Sequence, residues 1–120
     1  MNPISIIPVF HVKDVDVSLR FYTEILGFQQ SFRYNTYIGL KFGKCELHIC
    51  PMNGGDFGPR VGGGNAYMIC DEVDNYYARI KTSGAEPKTE PKDAFYGMRD
   101  FVIFDPDGNQ LSFGCDNESD

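Results

Sequence analysis

An internal duplication constrains the fold of this chain more than any other feature of its sequence. In the first half, a β-strand pattern over residues 4–12 leads to an acidic helix start at Asp14 and a glycine stop at Gly27. In the second half, acidic residues at 71–74 open a helix that ends before Gly84, 57 residues after Gly27. Each unit has one apolar sheet face that its own helix can bury. The repeat therefore predicts two tandem βαβββ modules around a shared cleft.

Alternation of apolar residues sets the expected strands of both modules. In residues 4–12, Ile6, Phe10 and Val12 form the expected core face, and in the first helix Val17, Phe21 and Ile25 do so, with Leu26 adjoining. Further strands are expected at 28–34, 36–42, 45–50 and 65–70, and a hairpin pairs 101–104 with 111–113 around an Asp-Pro-Asp-Gly turn.

The resulting fold class is α+β, with a curved mixed sheet and helices on its convex face. The chain forms one domain over residues 1–120, with module 1 at about 4–50, a glycine-rich connector at 51–64 and module 2 at about 65–115.

Composition and net charge limit the kinds of partner that the chain is expected to bind. A net charge of −6 without a basic patch disfavours nucleic acid and mildly favours cationic ligands. No apolar run approaches the roughly 20 residues of a membrane span, and the N-terminus lacks the basic start of a secretory signal. We therefore expect a cytoplasmic protein that does not bind membranes. The four cysteines show no Cys-x-x-Cys spacing, which favours reduced thiols.

Two segments carry a family resemblance. The first helix ends in Phe21-Tyr22-x-x-x-Leu26-Gly27-Phe28, and the C-terminal region contains Tyr96-Gly-Met-Arg followed by Asp105-Pro-Asp-Gly108. Together with the duplication, these segments resemble the vicinal oxygen chelate superfamily of glyoxalases, bleomycin-resistance proteins and extradiol dioxygenases. The resemblance covers almost the whole chain. It implies paired βαβββ modules that are usually completed by dimerisation, so a homodimer is expected.

Enzymes of this superfamily hold a divalent metal on the concave sheet, and the resemblance indicates where their ligands would fall. Two of these positions carry Ile7 and Ser112, and the second-half position falls near Asn65, Ala66 or Met68. The remaining position falls on His48, or on Glu46 in another register.

A catalytic site needs about three protein ligands, and at most one strong ligand is present at these positions. The chain therefore resembles the metal-free bleomycin-resistance branch. This resemblance implies a binding protein without a cofactor rather than an enzyme. The predicted function is sequestration of a small organic ligand, cationic or aromatic, such as a bleomycin-type antibiotic. A metal-dependent lyase or dioxygenase with atypical ligands, a metal-free isomerase using His48 as base, and a regulatory binding module stay open as alternatives.

The candidate binding residues of the first module are Tyr37, Glu46 and His48. Alternation places His48 and Glu46 on the sheet face opposite the core, where His48 either hydrogen-bonds a ligand or simply pairs with Glu46. Tyr37 can stack on a planar ligand. His11 is interpreted as a rim histidine, and an off-pattern metal site of His11, Glu46 and His48 stays open.

Three further candidates lie elsewhere in the chain. Ser112 is the polar position of its strand, opposite the core residues Leu111 and Phe113. Arg99 either clamps a ligand carboxylate or bonds to Asp93 or Asp100. Phe57, in the glycine-rich connector, is either part of a mobile flap over the cleft or a packed anchor.

Overall fold

The computed structural model describes residues 1–52 and 60–117, and it contains two modules of the same design. The elements of the first module are β1 (Val9–His11), α1 (Val15–Arg20), a π-helical turn (Phe21–Ile25), β2 (Gln29–Tyr34), β3 (Tyr37–Phe42) and β4 (Cys45–Cys50). Those of the second are β5 (Asn65–Ile69), α2 (Val73–Thr82), β6 (Lys92–Asp93), β7 (Met98–Phe104) and β8 (Gln110–Asp116). Neither α-helix, nor any other helix within these two ranges, has the length and apolar character needed to cross a bilayer.

Each module forms a four-stranded mixed sheet with the same strand order. The orders are β1-β4-β3-β2 and β5-β8-β7-β6, and in both sheets the first pair is parallel while the others are antiparallel. This equivalence confirms the α+β class and the duplication of βαβββ modules. The hairpin around the Asp-Pro-Asp-Gly turn is also confirmed, with Gly108 at a φ of 101°.

One apolar core joins the two modules. Alternate strand residues point toward the helices, and the rings of Phe42 in module 1 and Tyr76 in α2 lie 5.5 Å apart across the module boundary. The face of each sheet that points toward the helices is called the inner face here, and the opposite one the outer face. The buried apolar residues of the inner faces include Ile38, Leu40, Leu47, Ile49, Phe101, Ile103, Leu111 and Phe113.

The first helix begins as expected but buries a different stripe. The Asp14 side chain accepts hydrogen bonds from the backbone N–H groups of Asp16 and Val17, which caps the helix. Val17, expected in the core, is 42% exposed, whereas Leu26 is buried as expected, together with Val15, Ser18 and Tyr22. The expected apolar face was therefore wrong at Val17. The π-helical turn, closed by the Leu26 N–H on the Phe21 carbonyl, displaces the later residues from simple α-helical spacing.

The first strand is shorter than the sequence pattern predicts. It starts at Val9, and the segment before it leaves the sheet, so Ile6 is exposed rather than in the core. Pro8 explains the boundary: it has no N–H to donate, although its carbonyl still accepts from the His48 N–H over 3.0 Å.

A buried polar joint connects the modules at the β7–β8 turn. The Asn109 side-chain amide donates to the His11 carbonyl over 3.1 Å and to Asp105 over 2.9 Å, and its oxygen accepts from the Gly64 N–H over 2.8 Å. Asp105 also accepts from the Tyr22 phenol of module 1. His11 lies in this joint with 8% exposure, so the interpretation of a rim histidine was wrong.

Candidate ligand-binding site

The outer face of the first sheet brings together the three predicted residues of module 1. The Tyr37 hydroxyl and His48 Nδ1 are 2.9 Å apart and hydrogen-bonded, and His48 Nε2 lies 3.8 Å from a carboxylate oxygen of Glu46. Strand pairing produces this grouping, because the β3–β4 register places Gly39, two residues after Tyr37 on the same face, directly opposite His48. Burial, reinforced by Cys50 nearby, raises the pKa of the Tyr37 phenol, which therefore stays protonated at neutral pH.

Phe32 completes this group and was not among the predicted site residues. Its ring is stacked on Tyr37 at 6.2 Å and meets the His48 ring edge-on at 5.1 Å. A register shift in β2 between Gln30 and Phe32 turns the ring onto the outer face, where it lies over Gly39. Simple alternation from the sequence does not reveal such a bulge. We call Phe32, Tyr37, Glu46 and His48 the aromatic–histidine cluster.

His48 Nε2 is a buried nitrogen without a hydrogen-bond partner among the described residues. When the Tyr37 phenol donates to Nδ1, the ring proton is carried by Nε2, which then faces Glu46 across a gap too long for a hydrogen bond. A buried donor left in this way costs free energy. In this tautomer, the cluster therefore contains a donor that an acceptor on a ligand could satisfy.

The outer face of the second sheet contains Ser112 and a second aromatic group. Ser112 is buried, and on the neighbouring parallel strand it pairs with Tyr67. The Tyr67 phenol donates to Asp100 over 2.9 Å, and the Tyr96 phenol donates to the same carboxylate oxygen. Tyr67 lies directly over Gly114, which leaves space for the ring. Burial and the Asp100 hydrogen bond both raise the pKa of Tyr67. Sequence reasoning found Ser112 but not this tyrosine pair.

Arg99 is held by carboxylates on the inner side of the second sheet. Its guanidinium forms two hydrogen bonds to Asp74 of α2, at 2.8 and 2.9 Å, and one to Asp93 at 3.2 Å. These bonds raise the pKa of Arg99 and lower that of Asp74. Asp93 was one of the two expected partners, whereas Asp74 was not expected. Arg99 thus lies on a different sheet and face from the aromatic–histidine cluster.

The donor set of the described residues does not fit a divalent metal. Residues 1–52 and 60–117 contain no group of three or more His, Cys, Asp or Glu side chains placed to hold an ion. His11, in the joint between modules, does not join Glu46 and His48 in such a group. The remaining candidate, Phe57, lies outside the described residues.

The arrangement of two βαβββ modules, each with a helix over the inner face of its sheet, defines a known class of folds. The sequence-family model of the Glyoxalase/Bleomycin resistance protein/Dioxygenase superfamily matches residues 8–113. The chain therefore belongs to this superfamily.

Related proteins of known name support this membership. The chain is 26% identical over 122 residues to bleomycin resistance proteins of Geobacillus stearothermophilus and Staphylococcus aureus, covering 89% of this chain and 92% of theirs. Among solved structures, a bleomycin resistance determinant encoded on the transposon Tn5 superposes with a TM-score of 0.80 at 22% identity, covering 96% of this chain and 99% of that one. TioX from Micromonospora sp. ML1 also gives 0.80, at 16% identity, covering 95% and 99%. These structures share the fold of the chain.

Proposed function

We propose that this protein binds a small organic molecule on the outer faces of its sheets and sequesters it, with no catalytic metal. A bleomycin-type antibiotic is the ligand class that we propose first. The named relatives support this choice, since proteins called bleomycin resistance proteins align along most of the chain. The proposed setting is the cytoplasm, where such a protein would intercept the ligand.

One observation carries the proposal: the aromatic–histidine cluster combines a planar surface with a buried ring nitrogen that has no hydrogen-bond partner among the described residues. Phe32 and Tyr37 offer ring faces on which a planar ligand can stack, and such aromatic contacts contribute about 0.5–1.5 kcal/mol beyond area burial. His48 Nε2 supplies a directional hydrogen bond once Glu46, whose carboxylate lies 3.8 Å away, rotates aside. Stacking would give affinity, and the histidine would give orientation.

Charge favours a ligand with a cationic part. Glu46 lies at the edge of the cluster, and the whole chain carries a net charge of −6. An acidic surface raises the local concentration of cations and speeds their association. Lys41 lies directly opposite Glu46 in the β3–β4 register and offsets part of its charge, so the proposed attraction for a cation rests on Glu46 together with the acidic balance of the whole chain.

Metal independence is the part of the proposal that separates it from an enzyme. A metal-dependent lyase, isomerase or dioxygenase needs about three protein ligands, and the described residues offer no such group. The family positions in this chain carry Ile7 and Ser112, of which the first cannot bind a cation and the second binds one poorly.

A homodimer belongs to the same proposal. Ile4 and Ile6 before β1 are 96% and 94% exposed, and Ile69 at the end of β5 is 72% exposed. β5 is also an edge strand in the sheet formed by the described residues. Isolated apolar residues are common on surfaces, but an exposed apolar segment before β1 and an open strand edge together suit a second copy of the chain. Sedimentation analysis of an Ile4→Ser, Ile6→Ser variant should show a shift toward monomer. A parent chain that is monomeric at micromolar concentration would contradict the dimer.

Calorimetric titration with bleomycin tests the site. We expect saturable binding to the parent chain and a loss of about tenfold or more in affinity for His48→Ala and for Phe32→Ala, since each removes contacts worth about 1.4 kcal/mol or more. Gln29→Ala, an exposed change on β2, is the matched control and should bind like the parent. Equal affinity in His48→Ala and the parent would remove His48 from the site. No saturable binding to the parent would exclude a bleomycin-type ligand.

A further inference from the structure

A cavity separate from the outer faces lies between the two modules on their helix side. Its volume is about 470 Å³, within the roughly 300–1,000 Å³ of small-molecule pockets. The turn between β3 and β4 forms one wall, with Phe42, Lys44 and Cys45. The end of β5 and the first turns of α2 form the other. No residue of the aromatic–histidine cluster lines this cavity, so the proposed sequestration does not use it.

The floor of the cavity is aromatic and fixed in place. The Tyr76 ring packs against two others: its centroid lies 5.5 Å from that of Phe42 and 4.9 Å from that of Phe113. The Tyr76 hydroxyl donates to the Leu26 carbonyl over 2.6 Å, which holds the ring between the modules. An apolar ligand would therefore meet a surface that exists before binding.

The Cys70 thiol in the lining acts as apolar surface. Cys45 and Cys70 both face the cavity. Burial, and next the neighbouring Cys115, raise the pKa of Cys70 to about 11, so its thiol is protonated at neutral pH. Protonated thiols are weak nucleophiles and weak metal ligands. Cys70 accordingly contributes packing surface for non-covalent binding rather than a reactive thiolate.

The rim of the cavity carries acidic and basic side chains, and these side chains differ in the contacts that they make. The Glu72 carboxylate accepts a hydrogen bond from the Asn75 amide over 2.7 Å, and Asp71 is exposed to solvent. Arg79 lies over the Tyr76 ring, 5.4 Å from its centroid, and is therefore the charged group in contact with the aromatic floor. Within residues 1–52 and 60–117, neither Arg79 nor Lys44 forms an ion pair.

From these contacts we propose that the inter-module cavity is a second ligand site, which binds a small amphipathic carboxylate. Its apolar body packs on Phe42, Tyr76 and Phe113, and its carboxylate bonds to the Arg79 guanidinium with Lys44 nearby. A planar guanidinium already stacked on a ring needs little rearrangement to accept a carboxylate at its edge.

Decanoate is the probe, and decylamine is its cationic counterpart with the same chain length. We expect saturable decanoate binding to the full-length chain by calorimetry, and an affinity about tenfold lower for Arg79→Gln, which corresponds to about 1.4 kcal/mol. Lys81→Gln is the matched control, because Lys81 is a cation of the same helix that does not line the cavity. A Cys70→Phe variant should reduce binding by filling the cavity. Decylamine should bind more weakly than decanoate to the parent.

Thiol protection locates the ligand. Bound decanoate should slow alkylation of Cys45 and Cys70 by iodoacetamide at pH 9, read by mass spectrometry, and leave Cys50 of the first sheet unaffected. The His48→Ala variant should bind decanoate like the parent, which separates this site from the proposed antibiotic site. Three results would each overturn the proposal: no saturable decanoate binding, equal affinity in Arg79→Gln and the parent, or no protection of the two thiols. Because Arg79 is exposed, its variant is expected to fold even if Cys70→Phe does not.

Discussion

The Tyr22 hydroxyl donates a hydrogen bond to Oδ2 of Asp105 over 2.9 Å, and this bond joins two distant parts of the sequence. Tyr22 belongs to the π-helical turn of module 1, and Asp105 opens the β7–β8 turn of module 2. Both groups are buried. The same carboxylate accepts bonds from the backbone N–H groups of Asp107 and Asn109, so one buried acceptor shapes the turn and ties it to the other module.

Replacing Tyr22 by Phe should lower the free energy of unfolding by about 1–3 kcal/mol, because a buried carboxylate loses a donor. Urea unfolding followed by circular dichroism measures this change. Tyr34→Phe is the control, since Tyr34 is exposed and loss of its hydroxyl should leave stability unchanged. A Tyr22→Phe protein as stable as the parent would show that the bond contributes nothing to the joint between modules.

This bond explains why two weak sequence signals were informative as a pair. The Phe-Tyr of the first helix and the Asp-Pro-Asp-Gly turn meet in space, so together they indicate the packing of both modules. The helix start, the glycine stop and the β7–β8 turn were predictable for a different reason: Asp14, Gly27 and Gly108 have local roles that residue type reveals. The first strand was predicted to be too long, because apolar alternation continues through Ile6 whereas strand pairing begins only after Pro8.

The candidate site was less predictable because it depends on contacts that periodicity does not encode. Alternation placed Glu46 and His48 on one face, and this placement is seen in the structure. The Phe32 ring reaches that face only through a register shift in β2, which has no sequence signal. Likewise, Asp74 meets Arg99 only because α2 packs across the second sheet, and the residue types allowed several pairings.

The contact between Gly39 and Phe32 gives a prediction about the aromatic–histidine cluster. A Cβ atom at position 39 would overlap the Phe32 ring, so Gly39→Ala should displace the ring and destabilise the chain by about 1–3 kcal/mol. Bleomycin affinity should fall with it. A Gly39→Ala, Phe32→Leu double variant should regain stability relative to Gly39→Ala alone, because the smaller side chain removes the overlap. Additive losses in urea unfolding would contradict the packing that we describe.

The ion pair between Asp74 and Arg99 gives a dependence of stability on pH. The Arg99 hydrogen bonds lower the pKa of Asp74, so the folded carboxyl binds protons less tightly than the unfolded one. Its stabilisation is present above the unfolded pKa of about 3.9 and is lost as pH falls through the lower folded value. Asp74→Asn should therefore lower Tm slightly at pH 7, and the difference should vanish in strong acid.

The effect should be small because the pair is solvent-exposed. Glu90→Gln is the control, an exposed carboxylate outside these ion pairs, and its Tm should follow the parent at every pH. A Tm difference for Asp74→Asn that grows as the pH falls would have the wrong sign for this account.

The half-buried thiol of Cys70 should react slowly with alkylating agents. A pKa of about 11 leaves on the order of 0.1% thiolate at pH 8, whereas a free cysteine with a pKa of about 8.5 has roughly 25%. Iodoacetamide labelling, resolved by peptide mass spectrometry, should accelerate about tenfold per pH unit between 8 and 9.5. Labelling in urea provides the unfolded reference. Reaction at the rate of a free cysteine at pH 8 in the folded chain would contradict this burial.

We propose that the chain binds its ligand without a resident metal. One titration tests this metal independence directly. The protein is dialysed against a chelator, shown to be metal-free by elemental analysis, and titrated calorimetrically with bleomycin. We expect saturable binding whose affinity matches that of untreated protein. Binding that disappears after chelation and returns with Zn²⁺, Mn²⁺ or Fe²⁺ would contradict the claim and identify a metal-dependent protein.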